Sequence, residues 1–245
     1  VWLLKNQCQL KNNKPMQSVK SKWYGRSQDP GSKSRIAAVV LAAGAASRMG
    51  HRPKCLLELG GVPLLQSLCL ALSKAGVDEV VVVAGHYAER ISHSVKNLPV
   101  HWVLNPRPED GQVASLHCGL RALPPNLDAV MVALADQPLI HSLDLMALIH
   151  AYAQRPTGTQ VVQPHYKGLP GNPVMFSFEV ATDILARSHS FGCRQWQTEH
   201  PQKVYKWATT HDHYQTDVDS PQDLDALFAK TGIRLNWPVD LSGQS

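Results

Sequence analysis

The chain has 245 residues, of which 44% are hydrophobic and 18% charged, enough for a sizeable core and within the range of one α/β domain. Twenty-four Lys and Arg against 19 Asp and Glu give a formal charge of +5, but eight of the cations (Lys5, Lys11, Lys14, Lys20, Lys22, Arg26, Lys33 and Arg35) precede the first apolar run, where Asp29 is the only acid. The body is therefore close to neutral and offers no basic stripe of the kind that nucleic acid requires.

Residues 1 to 34 lack helical or strand periodicity, are rich in Lys, Asn, Gln and Ser, and contain the breaker "DPGS". They read as a disordered basic leader. Position 1 is Val rather than Met, so this leader is expected to be an alternative start, a read-through or a non-native extension, with Met16 as another candidate start. "VWLL" is too short for a signal-peptide core and is followed by lysine-rich sequence. No run of about 18 apolar residues exists to span a bilayer. The five cysteines, Cys8, Cys55, Cys69, Cys118 and Cys193, are scattered without metal-ligand spacing and read as reduced thiols. These features predict a cytoplasmic protein with neither nucleic acid nor membrane as a partner.

From Ile36 onward strands and helices alternate. "IAAVVLAAG" is apolar without alternation and ends in glycine, as a strand buried on both faces does. "PLLQSLCLALSKAG" predicts a helix with Gly76 just past its last turn, "DEVVVVAG" a second buried strand, "YAERISHSVKN" a helix and "VHWVLNP" a third strand. "GQVASLHCGLRALP" is a helix stopped by Pro124 and Pro125, and "DAVMVALAD" a strand running into Asp136. "HSLDLMALIHAYAQR" is a helix ended by Pro156. Beyond it come two strands around a Gly/Pro loop in "TQVVQPHYKGLPGNPVMFS", a helix in "FEVATDILARSH", a strand in "KVYKWATT" and a closing helix in "PQDLDALFAK". The alternation predicts a mostly parallel sheet wrapped by helices over about residues 35 to 232, with 233 to 245 as a C-terminal tail.

In such sheets ligands bind beyond the carboxyl ends of the strands, and the loop after the first strand can hold phosphate on backbone amides. Here that loop is "LAAGAASRMGHRPK", residues 41 to 54. Ala42, Ala43, Gly44, Ala45 and Ala46 let a phosphate chain approach the backbone, Gly44 is suited to the dihedrals of a tight turn, and Arg48 and Lys54 supply charge. It is neither the P-loop nor the GxGxxG pattern.

"LAAGAASRMGHRPKCLLELGGVPLL" resembles the signature of the MobA-like nucleoside-triphosphate transferases: LAAG, three variable residues, RMG, and a lysine a few positions later. The resemblance implies a three-layer α/β/α sandwich of the nucleotide-diphospho-sugar transferase type, Rossmann-like in its winding. It implies that Leu41, Ala42, Ala43 and Gly44 line base and phosphates, and that Arg48 and Lys54 neutralise charge as pyrophosphate leaves. "EDGQVASLHCGL" resembles the segment that abuts the base, with Gly111 and Ser115 matching and Ala114 standing where serine is common.

Nucleotidyl transfer needs a divalent cation, Mg²⁺ by expectation, held by one or two carboxylates plus the phosphates. Asp136 ends an apolar strand at the ligand edge, either as a turn or cap aspartate or as a metal ligand, and the resemblance of "DQP" assigns it the metal. A second acid comes from "YQTDVDSPQDLD", either Asp217 or Asp219, of which Asp219 is the closer match to related sugar-nucleotide transferases; its competing role is to cap the last helix.

"GLPGNPVMF" resembles the acceptor side of the cleft, with Gly171, Asn172 and Pro173 matching and Leu169 where a basic residue is frequent. In "HSFGCRQW" Gly192 and Arg194 match a segment of the cytidylyl-transferring branch, with Ser190 in place of its aspartate. His211 and His213 in "HDHY" can present both rings on one face, but with no further ligand nearby in sequence they read as solvated loop histidines. LAAG, DQP and GNPV together resemble the molybdenum-cofactor cytidylyltransferase branch. The implied reaction joins CTP to the terminal phosphate of molybdopterin and releases pyrophosphate, with a molybdenum hydroxylase as recipient of the dinucleotide. The alternatives are GTP as donor, a sugar or alcohol phosphate as acceptor, or a non-catalytic cofactor chaperone.

Overall fold

Strand β1 (Ile36–Ala42) lies inside the sheet with a parallel neighbour on each edge, which is why it carries no polar residue: Ala37, Ala38, Val39 and Val40 are fully buried. The structure, a computed structural model, describes residues 34–241. The expected disordered leader falls outside these residues apart from Ser34.

After β1 the chain makes a short hairpin, β2 (Glu58–Leu59) and β3 (Val62–Pro63), then α1 (Leu64–Lys74), β4 (Glu79–Ala84), α2 (Ala88–Val95), β5 (His101–Leu104), α3 (Gln112–Arg121), β6 (Ala129–Leu134) and α4 (Ser142–Ala153). The second half adds β7 (Val161–Tyr166), β8 (Leu169–Pro170), β9 (Val174–Ser177), α5 (Phe178–Ala186), α6 (Cys193–Glu199), β10 (Val204–Ala208), α7 (Pro221–Thr231) and β11 (Leu235–Asn236). The main sheet runs β10-β7-β9-β6-β1-β4-β5. Only β9 and the two-residue β8 run against the rest. The expected mostly parallel, three-layer α/β/α architecture is thus the one observed.

Period-two alternation sorts β1 between two cores, as a pleated strand requires. Ala38 and Val40 point into the cluster shared with Leu65, Leu72, Ile91, Leu145 and Leu148, beneath α1, α2 and α4. Ala37 and Val39 point into the opposite cluster with Leu116, Ile184 and Trp196, beneath α3, α5 and α6. A third cluster, Met49, Leu57, Leu64, Val218, Leu227 and Leu235, lies outside the sandwich and joins the first loop to α7.

Helix α6 and the C-terminal segment both differ from the sequence-based expectation. Helix α6 was not anticipated; its sequence, CRQWQTE, is polar but for Trp196, which is buried, and Gly192 N donates to Gln195 Oε1 at its start. The expected tail over 233–245 is packed as far as residue 241. Leu235 and Asn236 pair with Leu59 and Glu58, Arg52 lies 4.3 Å over the Trp237 ring, and Leu241 is fully buried. Leu235, Trp237 and Leu241 hold the segment down by burying apolar surface.

Cys55, Cys69 and Cys193 are free thiols. Burial pushes the thiols of Cys55, Cys69 and Cys193 up to about 12, which keeps them protonated and unreactive. Among the described residues no helix is long and apolar enough to cross a membrane.

Candidate active site

The first loop is short of side chains and well tethered. Tyr87 Oη donates to Ala45 O (2.8 Å), and Met49 N and His51 N both donate to Ala46 O (2.9 and 3.1 Å). The left-handed residues are Ala46 (φ 50), Gly50 (φ 63) and His51 (φ 56); Gly44, expected to make the tight turn, is not among them. A side chain at Gly44 would meet nothing within 4 Å, so its place is beside open space. Met49, Cys55 and Leu56 are buried; anchoring them leaves Arg48 and Lys54, their neighbours in sequence, directed out of the core.

Asp136 follows β6 by two residues and is set in place by Ala135 N donating to Leu41 O (3.2 Å) and by Val218 N donating to Asp136 O (3.0 Å). The second bond stitches the segment that carries Asp217 and Asp219 to the carboxyl edge of β6. Neither aspartate caps a helix. Helix α4 starts from His141. Helix α7 is capped by Ser220 with Asp223, whose Oδ2 accepts from Asp219 N, Ser220 N and Ser220 Oγ (3.0, 2.7 and 2.8 Å). The Asp219 carboxylate is therefore spared from capping.

It is used elsewhere. Lys54 Nζ donates to Asp136 Oδ2 (2.6 Å) and to Asp219 Oδ1 (2.5 Å), while Arg48 Nη2 donates to Asp219 Oδ2 (2.7 Å). The Lys54 and Asp136 side chains are 16% and 20% exposed, so their attraction is only partly screened; Arg48 is 69% exposed and contributes less. Burial pulls the Lys54 ammonium down, but the charge of Asp136 and the hydrogen bonds to both carboxylates outweigh it, and the net shift is upward. Burial pushes Asp219 up, and the Lys54 and Arg48 contacts overturn it to a net lowering. Asp217 is held above the usual carboxylate range, first by burial and then by the charges of Asp219 and Asp136. Three carboxylates thus converge near Lys54, with Arg48 on the outer side of Asp219.

These groups floor a cleft of about 910 Å³ across the carboxyl ends of the strands. Leu41, Ala42, Ala43 and Gly44 line it at the first loop, with Lys54 and Asp136 beside them. Gly111 and Ser115 form another wall and Asp217 and Asp219 a third. Arg48 stands at the mouth, reaching the site through Asp219. Gly171, Asn172 and Arg194 face the loop from across the cleft.

Some supporting residues left no trace in the sequence reading. Asn105 is buried, donates through Nδ2 to Ser115 Oγ (3.0 Å) and accepts from Arg107 N at Oδ1 (3.0 Å), fixing the wall that holds Ser115. Gly85 ends β4 against the first loop: a Cβ there would lie 2.8 Å from Ala43 O and 2.7 Å from Pro108 Cβ.

A parallel sheet whose strand order reverses beside β1, a small-residue loop at that point and a lysine clasped by carboxylates from two later segments define a nucleotidyltransferase of the nucleotide-diphospho-sugar transferase fold. The chain belongs to the MobA-like NTP transferase domain family, whose model matches residues 38–204. It is 39% identical over 114 residues to the bifunctional protein GlmU of Legionella pneumophila, a match covering 45% of this chain and 24% of the relative. The chain thus spans about a quarter of that protein's length. Among solved structures, a nucleotidyl transferase from Methanothermobacter is 25% identical with a TM-score of 0.65, covering 80% of this chain and 96% of the other. Rv0371c of Mycobacterium tuberculosis, solved in complex with manganese, is 25% identical with a TM-score of 0.64, covering 81% and 100%.

Proposed function

We propose that the chain transfers CMP from CTP to molybdopterin, releasing pyrophosphate and giving a cytosine dinucleotide cofactor for a molybdenum hydroxylase. The observation that carries the reading is the position of Lys54, clasped between Asp136 and Asp219 at the foot of an open loop of small residues.

The residues present fit a hard divalent cation, Mg²⁺ by this reading. Asp136 Oδ1 is buried without a hydrogen-bond partner, and the carboxylates of Asp217 and Asp219 line the same cleft. Asp136 and Asp219 would hold the ion, with Asp217 as the other acid of the same segment. Bound there, it would neutralise triphosphate charge and make the α-phosphorus open to attack.

The remaining work falls to the chain's own groups. Lys54, kept charged by its two carboxylates, and Arg48 at the mouth stabilise charge on the bridging and leaving oxygens. Leu41 to Gly44 leave the phosphates room against backbone, and Gly111 and Ser115 receive the base. Gly171, Asn172 and Arg194, on the facing wall, receive the acceptor phosphate, which is already ionised and needs no strong base.

Ala114 and Leu169, which stand where the family commonly has a serine and a basic residue, and Ser190, which replaces the aspartate of the cytidylyl-transferring branch, favour a second reading in which the same site uses GTP or a sugar or alcohol phosphate. Incubating the full chain with Mg²⁺, each NTP in turn, and molybdopterin or a panel of phosphate acceptors, then identifying the product, separates the two. A cytosine dinucleotide with pyrophosphate supports the first reading. A sugar nucleotide or a guanine product supports the second. Cofactor binding without pyrophosphate release would instead make the chain a cofactor carrier.

A further inference from the structure

Outside the cleft, the described residues hold one other convergence of ligating side chains. Asp144, in the first turn of α4, is buried, its side chain 2% exposed. A carboxylate taken out of water needs its lone pairs satisfied; here His141 N donates to Oδ2 (3.1 Å) as part of the α4 cap, and imidazoles crowd the remaining positions. His141 Nδ1 touches Oδ2, His213 Nδ1 lies 3.2 Å from both oxygens, and His211 Nε2 lies 3.5 Å from Oδ1. His141, Asp144 and His213 each offer one ligand atom, all within 4.8 Å of one another. The His211 ring packs 4.1 Å from that of His213, and its Nδ1 is buried with no hydrogen-bond partner. The pair expected from sequence to be solvated thus meets two further ligands that lie some 70 residues earlier.

We propose that His141, Asp144 and His213, with His211 as the fourth ligand, form a structural site for a divalent transition-metal ion of the zinc class. Tetrahedral Zn²⁺ with bonds of about 2.0–2.1 Å holds neighbouring donors about 3.3–3.4 Å apart, close to the spacing of His213 Nδ1 and His211 Nε2 from the Asp144 oxygens. Three imidazoles and one carboxylate are a borderline-soft set, suited to zinc and poorly suited to Mg²⁺. None of the four residues lines the catalytic cleft.

The position gives the ion a task. Residues 211–219 run from this cluster to Asp217 and Asp219, and residues 136–141 run from Asp136 to His141. Tyr214 Oη donates to Asp144 O (2.7 Å) and Gln137 Nε2 donates to Tyr214 O (3.0 Å) between them. A metal here clamps together the two segments that carry the cleft's carboxylates.

The test uses the full chain, stripped by chelator and titrated with Zn²⁺ under saturating Mg²⁺, with bound metal counted directly. One tightly held equivalent is expected, kept in Asp136→Asn/Asp219→Asn. In His141→Ala/His213→Ala affinity should fall by more than the roughly 10–100-fold that outer-shell partners are worth. Zinc that follows the cleft aspartates instead of the histidines, or no tight zinc at all, overturns the proposal. Should the histidine variant fail to fold, Co²⁺ added to the unmutated chain decides: intense visible bands of a tetrahedral ion are expected, and only weak octahedral bands or no uptake overturns it. The outcome is independent of which nucleotide or acceptor the cleft takes.

Discussion

Lys54 Nζ stands 2.6 Å from Asp136 Oδ2, joining the end of the first loop to the end of β6 across 82 positions of sequence. Because this lysine lies inside the cleft, held between Asp136 and Asp219, Lys54→Ala is expected to lower nucleotidyl transfer by about 10²–10³-fold or more, the loss seen when one stabilising donor is removed. The fold should survive, since Lys54 is held by hydrogen bonds at the cleft surface and not by core packing. Pyrophosphate release alongside a far-UV spectrum checks both halves; unchanged turnover removes the lysine from the reaction.

Asp136→Asn retains the shape of the side chain and removes its charge. Turnover should drop by at least about 10²-fold, and half-saturation by Mg²⁺ should move to higher concentration. Asp223→Asn, which touches the cap of α7 rather than the cleft, should cost stability while leaving the Mg²⁺ dependence in place. If the two variants respond alike to Mg²⁺, Asp136 is not the metal's ligand.

Asp217 and Asp219 lie two residues apart and titrate in opposite senses. The Asp219 carboxyl is lowered, so its contribution to stability is present above its unfolded pKa and is lost as pH falls through the folded value. That of Asp217 is raised, so its contribution is present below its unfolded pKa and is lost as pH rises through the folded value, leaving a net cost at neutral pH. In metal-free buffer at neutral pH, Asp217→Asn should therefore raise Tm and Asp219→Asn lower it, the latter modestly because the side chain is one-third exposed. Melting curves taken down through the carboxylate range should show both differences fading. Shifts of the same sign would contradict the charge arrangement described.

Gly85 and Gly44 make a matched pair. A methyl group at Gly85 lands against Ala43 backbone, so Gly85→Ala must move the first loop, with a cost of about 1–3 kcal/mol and a raised KM for the nucleotide. At Gly44 the methyl meets open space; Gly44→Ala should leave Tm almost unchanged and still raise KM, because the space it fills is the one assigned to phosphate. Thermal melts with steady-state kinetics on both variants test this, and an unaltered KM in Gly44→Ala would place the triphosphate elsewhere.

Much of the main sheet could be read in advance because β1, β4 and β6 are covered on both faces and so appear as unbroken apolar runs. The smaller sheet could not. Its strands are two residues long, and β11 finds β2 only through tertiary packing of Leu235. Leu41 to Gly44, which line the cleft, could be singled out because they are contiguous in sequence and follow the first strand directly. The clasp around Lys54 could not be, since its carboxylates come from 82 and 165 positions away, and spacing along a chain says nothing of which loops a sheet brings together. The same distance hid the partners of His211 and His213.

The pairing of β11 with β2 bears on how the protein is handled. A truncation at Gly232, the boundary that sequence suggests, would strip Leu235 from Met49 and Leu57, leave the hairpin with a bare strand edge and free Arg52 from its indole. Such a shortened version is expected to aggregate on expression and to lose its grip on the segment just ahead of Lys54. Purification handles belong C-terminal to Leu241, so that this seam stays closed.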